Sequence, residues 1–253
     1  MSPLSPLPGI KAKQRNQEKR MLVLRFLRIV TYSTVDILAA VLDISKREHV
    51  IDFLERMEQA NVITHRDFAE LGGRITLWGI TATGQDRALC HGEELNQSVF
   101  NPSKISITNL LHYLDMQRIH VMAQKVGWTD FVYVDRIRRK TFVRSTGSAH
   151  AIRPDLIATN PDGYRAAIEC ERTRKSLQRY TDEVIPGHVR ALNAHEYDFV
   201  LWITRNPEDQ TALFAVINKA VGELRAADKW HLILPAASFK RFQFANLTTW
   251  PTY

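Results

Sequence analysis

Arg153-Pro154-Asp155 and, further on, Tyr164-Arg165-Ala166-Ala167-Ile168-Glu169-Cys170-Glu171 are the stretches on which the reading of this chain turns. Asp155 closes a hydrophilic approach. The run from Tyr164 reads as a short strand that delivers the second acid. Residues two apart in a strand project to the same face, so Glu169 and Glu171 are expected to point together while Ile168 and Cys170 face the core. Three carboxylates at one sheet edge repel one another, and folding gains nothing by assembling them. A hard divalent cation, Mg²⁺ or Mn²⁺, takes oxygen ligands and keeps part of its water, which gives such a cluster a purpose. A cation of this kind beside a phosphodiester is the working core of a metal-dependent nuclease. On that reading Asp155 and Glu169 are ligands, the Cys170 carbonyl is a further oxygen, and Glu171 holds water or a second cation. The alternative is a strand with a solvated face near a loop aspartate.

Composition bounds the rest. The chain has 253 residues, an apolar content of 45% and a net charge of +7, enough for one large or two modest domains with a proper core. The basic balance favours a polyanionic partner, DNA first. Cys90 and Cys170 stand far apart without a CxxC pair, which argues against a disulfide framework or a structural zinc site. No apolar run is long enough to span a bilayer, and Met1 to Gly9 lacks the order of a signal peptide. The expectation is a cytoplasmic protein with no membrane segment and a short flexible leader, residues 1–10.

Residues 11–31 carry seven cations (Lys11, Lys13, Arg15, Lys19, Arg20, Arg25, Arg28) against Glu18 alone. From Gln17, apolar residues recur at helical spacing. Thr34 to Leu42 reads as a second helix. A third begins at Ser45, with Glu48 completing a capping box, and its stripe is Val50, Ile51, Leu54 and Met57. Val62 to Arg66 and Ile75 to Ile80 read as two strands about the turn Leu71-Gly72-Gly73-Arg74, and Thr81 with Gly84 starts a closing helix. Three helices followed by a hairpin is the order of a winged helix-turn-helix, expected over residues 11–91. Its DNA contacts would come from Lys46 and Arg47 on the third helix and Arg74 on the wing. That helix also carries Glu48, Asp52, Glu55 and Glu58, so a docking role stays open. Residues 92–104 read as linker.

The second domain, 105–253, opens with an amphipathic helix from Ile105. Strands are expected at Phe131 to Val134, Tyr164 to Ile168, Tyr197 to Ile203 and Trp230 to Leu234. Helices are expected over Arg172 to Tyr180 and Thr211 to Ala226, with Pro186-Gly187 as a break between elements. Arg136, Arg138, Arg139, Lys140 and Arg144 form a basic cluster suited to phosphate, with Arg138, Arg139 and Lys140 at its centre. The series is a mixed α/β arrangement. His188 and His195, seven apart, read as surface residues, with a shared metal-binding helix face as the alternative; Tyr164 and Tyr180 read as packing residues, with a nucleophile's role as the alternative.

The phrase Leu77-Trp78-Gly79-Ile80-Thr81-Ala82-Thr83-Gly84 resembles winged-helix domains of bacterial regulators and plasmid proteins. Pro154-Asp155 with Glu169-Cys170-Glu171 resembles the PD-(D/E)xK, restriction-endonuclease-like superfamily, with Glu171 where the superfamily usually has lysine. Lys175 is the residue that could serve instead. That superfamily often has an acid on its first helix, for which Asp115 is the candidate and His112 the rival. The whole string His150-Ala151-Ile152-Arg153-Pro154-Asp155, then Ala167 to Ser176, behind a winged helix, is similar to mobilisation relaxases of the MOBC type and to plasmid replication-relaxation proteins. The resemblance implies an α/β chain in which an N-terminal winged helix-turn-helix precedes a restriction-endonuclease-like mixed α/β domain. It implies a relaxase nicking a plasmid or integrative-element transfer origin, with Asp155, Glu169, Glu171 and Lys175 as catalytic residues, Arg153 in support, and a conjugative coupling protein or accessory proteins as partners. Two alternatives remain: a restriction or repair endonuclease of the same fold, and a non-catalytic plasmid DNA-binding accessory protein.

Overall fold

Apolar side chains at helical spacing organise the first half of the chain in a computed structural model that describes residues 9–69, 73–90, 98–134, 152–227 and 241–251. Helix α1 (Gly9–Val30) buries Val23, Leu24, Phe26, Leu27 and Val30. It begins at Gly9, so the last two residues of the expected leader are helical. The three-residue strand β1 (Tyr32–Thr34) follows, then α2 (Val35–Leu42) and α3 (Arg47–Gln59). The N-cap of α3 is Lys46 and makes no side-chain cap bond. The helix starts one residue too late for the expected Ser45–Glu48 box to close it. Strands β2 (Ile63–Phe68) and β3 (Ile75–Ile80) pair antiparallel, and β1 adds to the other edge of β3, giving the order β1-β3-β2. Leu71 and Gly72 of the expected turn lie outside the described residues. Thr81 caps α4 (Ala82–Ala88) by accepting the Gly84 N–H at 3.1 Å, as a threonine at that place in the sequence implies.

The chain forms two compact units, Met1–Val121 and Met122–Tyr253. The division falls inside α5 (Ile107–Lys125) rather than in the stretch read as linker. The reason is side-chain chemistry at the start of α5. The Tyr113 hydroxyl donates to the Val30 carbonyl at 2.7 Å, the Gln117 amide donates to the Tyr32 carbonyl at 2.9 Å, and His120 packs on Phe26. Part of the expected linker is also anchored, because Phe100 is buried against Gly79 and its N–H donates to the Ile80 carbonyl.

The second unit is a five-stranded mixed sheet, in the order β4 (Thr129–Tyr133), β5 (Leu156–Thr159), β6 (Arg165–Cys170), β7 (Phe199–Thr204), β8 (Phe242–Asn246). The β4-β5-β6 pairs are antiparallel, whereas β7 runs parallel to β6 and β8 parallel to β7. Parallel neighbours need crossovers. The first is a helical run made of α6 (Leu177–Arg179), a π turn (Tyr180–Val184) and α7 (Ile185–Asn193); the second contains α8 (Pro207–Ala226). Both feed one apolar cluster, in which Tyr180, Val189, Leu192, Leu213 and Ile217 cover Ala167, Val200 and Trp202 of the sheet.

Several expectations change here. β5 has no counterpart among the expected strands. The helix expected from Arg172 starts only at Leu177, with Ser176 as N-cap accepting the Arg179 N–H. Pro186-Gly187 does not break the chain but sits in the first turn of α7. The Ile185 N–H reaches back to the Tyr180 carbonyl in the wide π spacing, and Pro186 has no N–H to place. The expected strand at Trp230 to Leu234 lies outside the described residues.

Two glycines in opposite settings test this packing. A Cβ on Gly84 would stand 2.0 Å from the Val62 carbonyl oxygen, which is backbone and cannot swing away, whereas one on Gly222 in α8 would meet nothing within 4 Å. Gly84→Ala is expected to destabilise the protein by about 1–3 kcal/mol. Gly222→Ala is expected to stabilise it by about 0.5–1 kcal/mol through helix propensity and a less flexible unfolded chain. Urea unfolding midpoints of the two variants check both signs.

Candidate active site

β6 is the middle strand of its sheet, and its residues from Ala166 to Cys170 are buried on both faces. The parity expected for Glu169 and Glu171 holds in the sense that both lie on the Ala167 side. That side is the covered one, however, and not a wet edge. Glu169 is 7% exposed and Glu171 6%, against 0% for Ile168 and 5% for Cys170. Buried carboxylates need partners, and the structure supplies them.

Asp155 stands just before β5. The antiparallel register, Leu156 opposite Ile168, carries it to the level of Glu169. Its carboxylate accepts the Cys170 backbone N–H at 2.8 Å, which ties the Pro-Asp turn to the end of β6. The Glu171 backbone N–H donates to the Ile203 carbonyl at 2.9 Å, prolonging the β6–β7 ladder past the strand. Lys175 lies in the non-helical link after β6, and its ammonium donates to Glu171 Oε2 at 2.5 Å. Lys175 thus does turn back to the acids, though not along a helix. Its backbone N–H donates to the hydroxyl of Tyr180, a fully buried ring. Burial, helped by the charge of Glu171, pushes the Tyr180 hydroxyl well up, which keeps its proton in place. Tyr164 is 57% exposed.

His188 is the residue that sequence reasoning misses. It is wholly buried on α7, with Nδ1 2.7 Å from the Tyr197 hydroxyl and Nε2 3.2 Å from Glu169 Oε1. Burial pushes its pKa down to about 3; the charge of Lys175 adds to this and that of Asp155 opposes it. The signal is present in the spacing of Val184, His188, Ala191 and Leu192, a helical apolar stripe with one polar member. His195, by contrast, is exposed at the end of α7.

A cavity of about 190 Å³ opens beside Glu171, lined also by Arg172, Thr173, Arg174, Thr204 and Asp209. A second cavity, about 460 Å³, is lined by Trp128, Phe199, Phe244 and Trp250 among others and includes none of these acids. Among the described residues no group of three or more His, Cys, Asp and Glu side chains is gathered as a ready metal cage. Of the expected three, Glu171 is ion-paired with Lys175 and Asp155 accepts the Cys170 N–H. What fits here is a smaller donor set, Asp155 and Glu169 with the Cys170 carbonyl and water. Magnesium-type sites are commonly built in that way, from one or two carboxylates completed by water and substrate phosphate.

The remaining candidates have their own settings. Asp115 and His112 lie on α5 in the first unit, where Asp115 is buried and ion-paired with Arg118. Arg153 is exposed just ahead of Pro154. Lys46 is exposed at the start of α3, Arg47 pairs with Asp36, and Arg74 pairs across the hairpin with Asp67. Arg74 and Thr76 together hold the Asp67 carboxyl down at about 2. Arg138, Arg139 and Lys140 lie outside the described residues. Comparison with protein-family models, with curated proteins and with solved structures gave no match.

The buried imidazoles set a pH dependence. Burial holds His188 neutral down to about 3 and His120 down to about 4, whereas unfolded imidazoles gain a proton near about 6.5. Both folded values are depressed, so the stability they confer is complete above about pH 6.5 and drains away as pH falls toward 4 and 3. Each contributes a slope of about 1.4 kcal/mol per pH unit within that window. Urea unfolding between about pH 7 and about pH 4.5 is expected to show a shallower loss in His120→Leu than in wild type, by about one proton's worth.

Proposed function

We propose that this chain is a metal-dependent DNA endonuclease, and specifically a relaxase that nicks a plasmid or integrative-element transfer origin to start conjugative mobilisation. The observation that carries the reading is the hydrogen bond from the Cys170 N–H to Asp155. It sets the Pro-Asp acid beside Glu169 at the end of a central strand, with Lys175 turned back onto Glu171. The sheet supports it as well: three antiparallel strands followed by a parallel fourth, with the acids on the second and third, is the arrangement the PD-(D/E)xK resemblance leads one to expect. In the first unit the order α1-β1-α2-α3-β2-β3 supports a winged helix-turn-helix that recognises DNA.

In this reading Asp155 and Glu169, with the Cys170 carbonyl, would hold Mg²⁺ or Mn²⁺. A bound cation of that kind polarises the phosphate and lowers the pKa of water. The protein's own groups do the rest. Glu171 orients the attacking water. Lys175 and the guanidinium groups of Arg172 and Arg174 offset the charge that builds on phosphorus, and the cavity beside Glu171 is where that charge would sit. The products expected are a 5′-phosphate and a 3′-hydroxyl. A competing reading, an inert DNA-binding accessory, draws on the fact that each acid already has a partner within the protein.

Nicking of supercoiled plasmid with Mn²⁺ separates the two. Wild type is expected to nick. Alanine at Asp155 or Glu169 is expected to abolish nicking while sparing DNA binding, because it removes negative charge near phosphate. Lys175→Ala is expected to slow nicking by about 10²–10³-fold, the loss typical of one electrostatic stabiliser. Arg179→Ala, an exposed residue paired with Glu183, is expected to do far less. DNA binding without nicking in wild type would decide for the accessory.

Recognition has its own measurement. Lys13 and Arg15 are exposed on the basic start of α1. For each phosphate that Lys13→Ala/Arg15→Ala leaves without its cation, the slope of log affinity against log salt is expected to flatten by about 0.9. Lys46→Ala is expected to reduce the preference for cognate over random duplex, since a recognition helix reads base edges from its N-terminal residues. An unchanged salt slope would assign the basic helix to another partner.

A further inference from the structure

A buried polar pair of the second unit lies behind the acids rather than among them. His188 projects from α7 with its ring edge-on to Trp202, at 5.3 Å between centroids. One ring nitrogen meets the Tyr197 hydroxyl at 2.7 Å and the other stands 3.2 Å from Glu169 Oε1. Nε2 and Oε1 face each other at that distance without forming a hydrogen bond; an ionised carboxylate can only accept, so closing that bond takes the proton on Nε2 and leaves Nδ1 as acceptor. Tyr197 is 2% exposed, and burial together with the charge of Glu169 keeps its hydroxyl protonated. With the ring proton on Nε2, its O–H donates to Nδ1. The sequence of groups is Tyr197 to His188 to Glu169, and it ends on a carboxylate that faces the cation in the reading above.

Packing alone does not call for an imidazole here. The surroundings contributed by Ile185, Val189, Leu192 and Trp202 are apolar, and a leucine or phenylalanine would fill such a place without dehydrating a polar ring. We propose that His188 is a positioning residue that fixes the carboxylate of Glu169 in the orientation that receives a divalent cation, with Tyr197 fixing the orientation and tautomer of the ring. Hydrogen-bonding partners behind metal ligands have this effect on affinity generally. The inference rests on the endonuclease reading of the acids, and its test has to fail separately from that reading.

The experiment titrates the full chain with Mn²⁺ alone, follows the free-ion resonance signal, and records melting temperature in the same buffer. Glu169→Gln is expected to abolish binding. His188→Phe is expected to raise the Mn²⁺ dissociation constant by about 10–100-fold, the usual consequence of losing a partner behind a ligand. His188→Asn retains an N–H donor and is expected to recover part of that loss. Tyr197→Phe keeps the ring and removes only the hydroxyl, and is expected to weaken Mn²⁺ by about tenfold, at the low end of that range. A merely structural histidine would instead give affinities that follow melting temperature across the series, without rescue by asparagine. Wild-type Mn²⁺ affinity in both His188→Phe and Tyr197→Phe, with Glu169→Gln still deficient, overturns the positioning role alone. If His188→Phe does not fold, His188→Asn and Tyr197→Phe decide. Equal binding, or equal lack of it, in wild type and Glu169→Gln overturns the cation reading and this inference with it.

Discussion

A carboxylate taken out of water must be given a partner, and that constraint governs the second unit. The end of β6 delivers Glu169 and Glu171 into a covered part of the sheet, and the register of β5 adds Asp155. Left alone, the two glutamates would oppose folding by several kcal/mol each, whereas Asp155 is half-buried. The fold answers each in a different way. A backbone N–H meets Asp155, an ammonium meets Glu171 and an imidazole stands against Glu169. Three unlike partners mean three unlike acids. Asp155 is held by a backbone donor. Glu171 is held by a flexible cation that can be drawn elsewhere. Glu169 faces a rigid ring locked into the core.

The ring reaches its place because of a local irregularity. Within a continuous helix Pro186 would lack a donor and crowd the carbonyl four residues earlier. The π turn over Tyr180–Val184 widens the helix just ahead of the proline, and Ile185 bonds to the Tyr180 carbonyl. The run then continues as α7 in a register that turns His188 inward, where it meets Tyr197 and Trp202. π turns inside α-helices are frequent at functional sites, and here the turn fixes which residue backs Glu169.

What is legible in the sequence follows from length and period. α1, α3 and the β2–β3 hairpin each extend over enough residues for their spacing to show, and Thr81 announces the cap of α4. β1 and β5 are three and four residues long, no more than two alternations, which is too short for a pattern to reveal them. The Arg172 to Lys175 segment has good helix formers, but its conformation is set by Glu171, which needs Lys175 close by, and by Ser176, which caps the helix later. Propensity loses to tertiary demand. His188 reads as a surface residue because, paired with His195 seven residues on, it offers two histidines without a third ligand, and the buried ring that it contributes to α7 depends on tertiary packing. The pairing of Asp155 with the Cys170 N–H depends on strand register, which a single sequence does not encode locally.

The Glu171–Lys175 pair is unequal, and the inequality bears on mechanism. The ammonium side chain is 24% exposed while its carboxylate partner is 5% exposed. Lys175 can therefore turn toward solvent or toward an incoming phosphate at modest cost, whereas Glu171 cannot leave. When the lysine turns away, Glu171 stays behind as a nearly dry negative charge, an unfavourable state unless another positive group or a proton-bearing water takes its place. Substrate binding in the proposed reaction provides that exchange, because phosphate competes for the ammonium while water enters beside the carboxylate. A lysine shared in this way between an acid and a phosphate does not need to stand at the position that Glu171 occupies. It needs only to be within reach of Glu171, and the non-helical link after β6 gives it that reach.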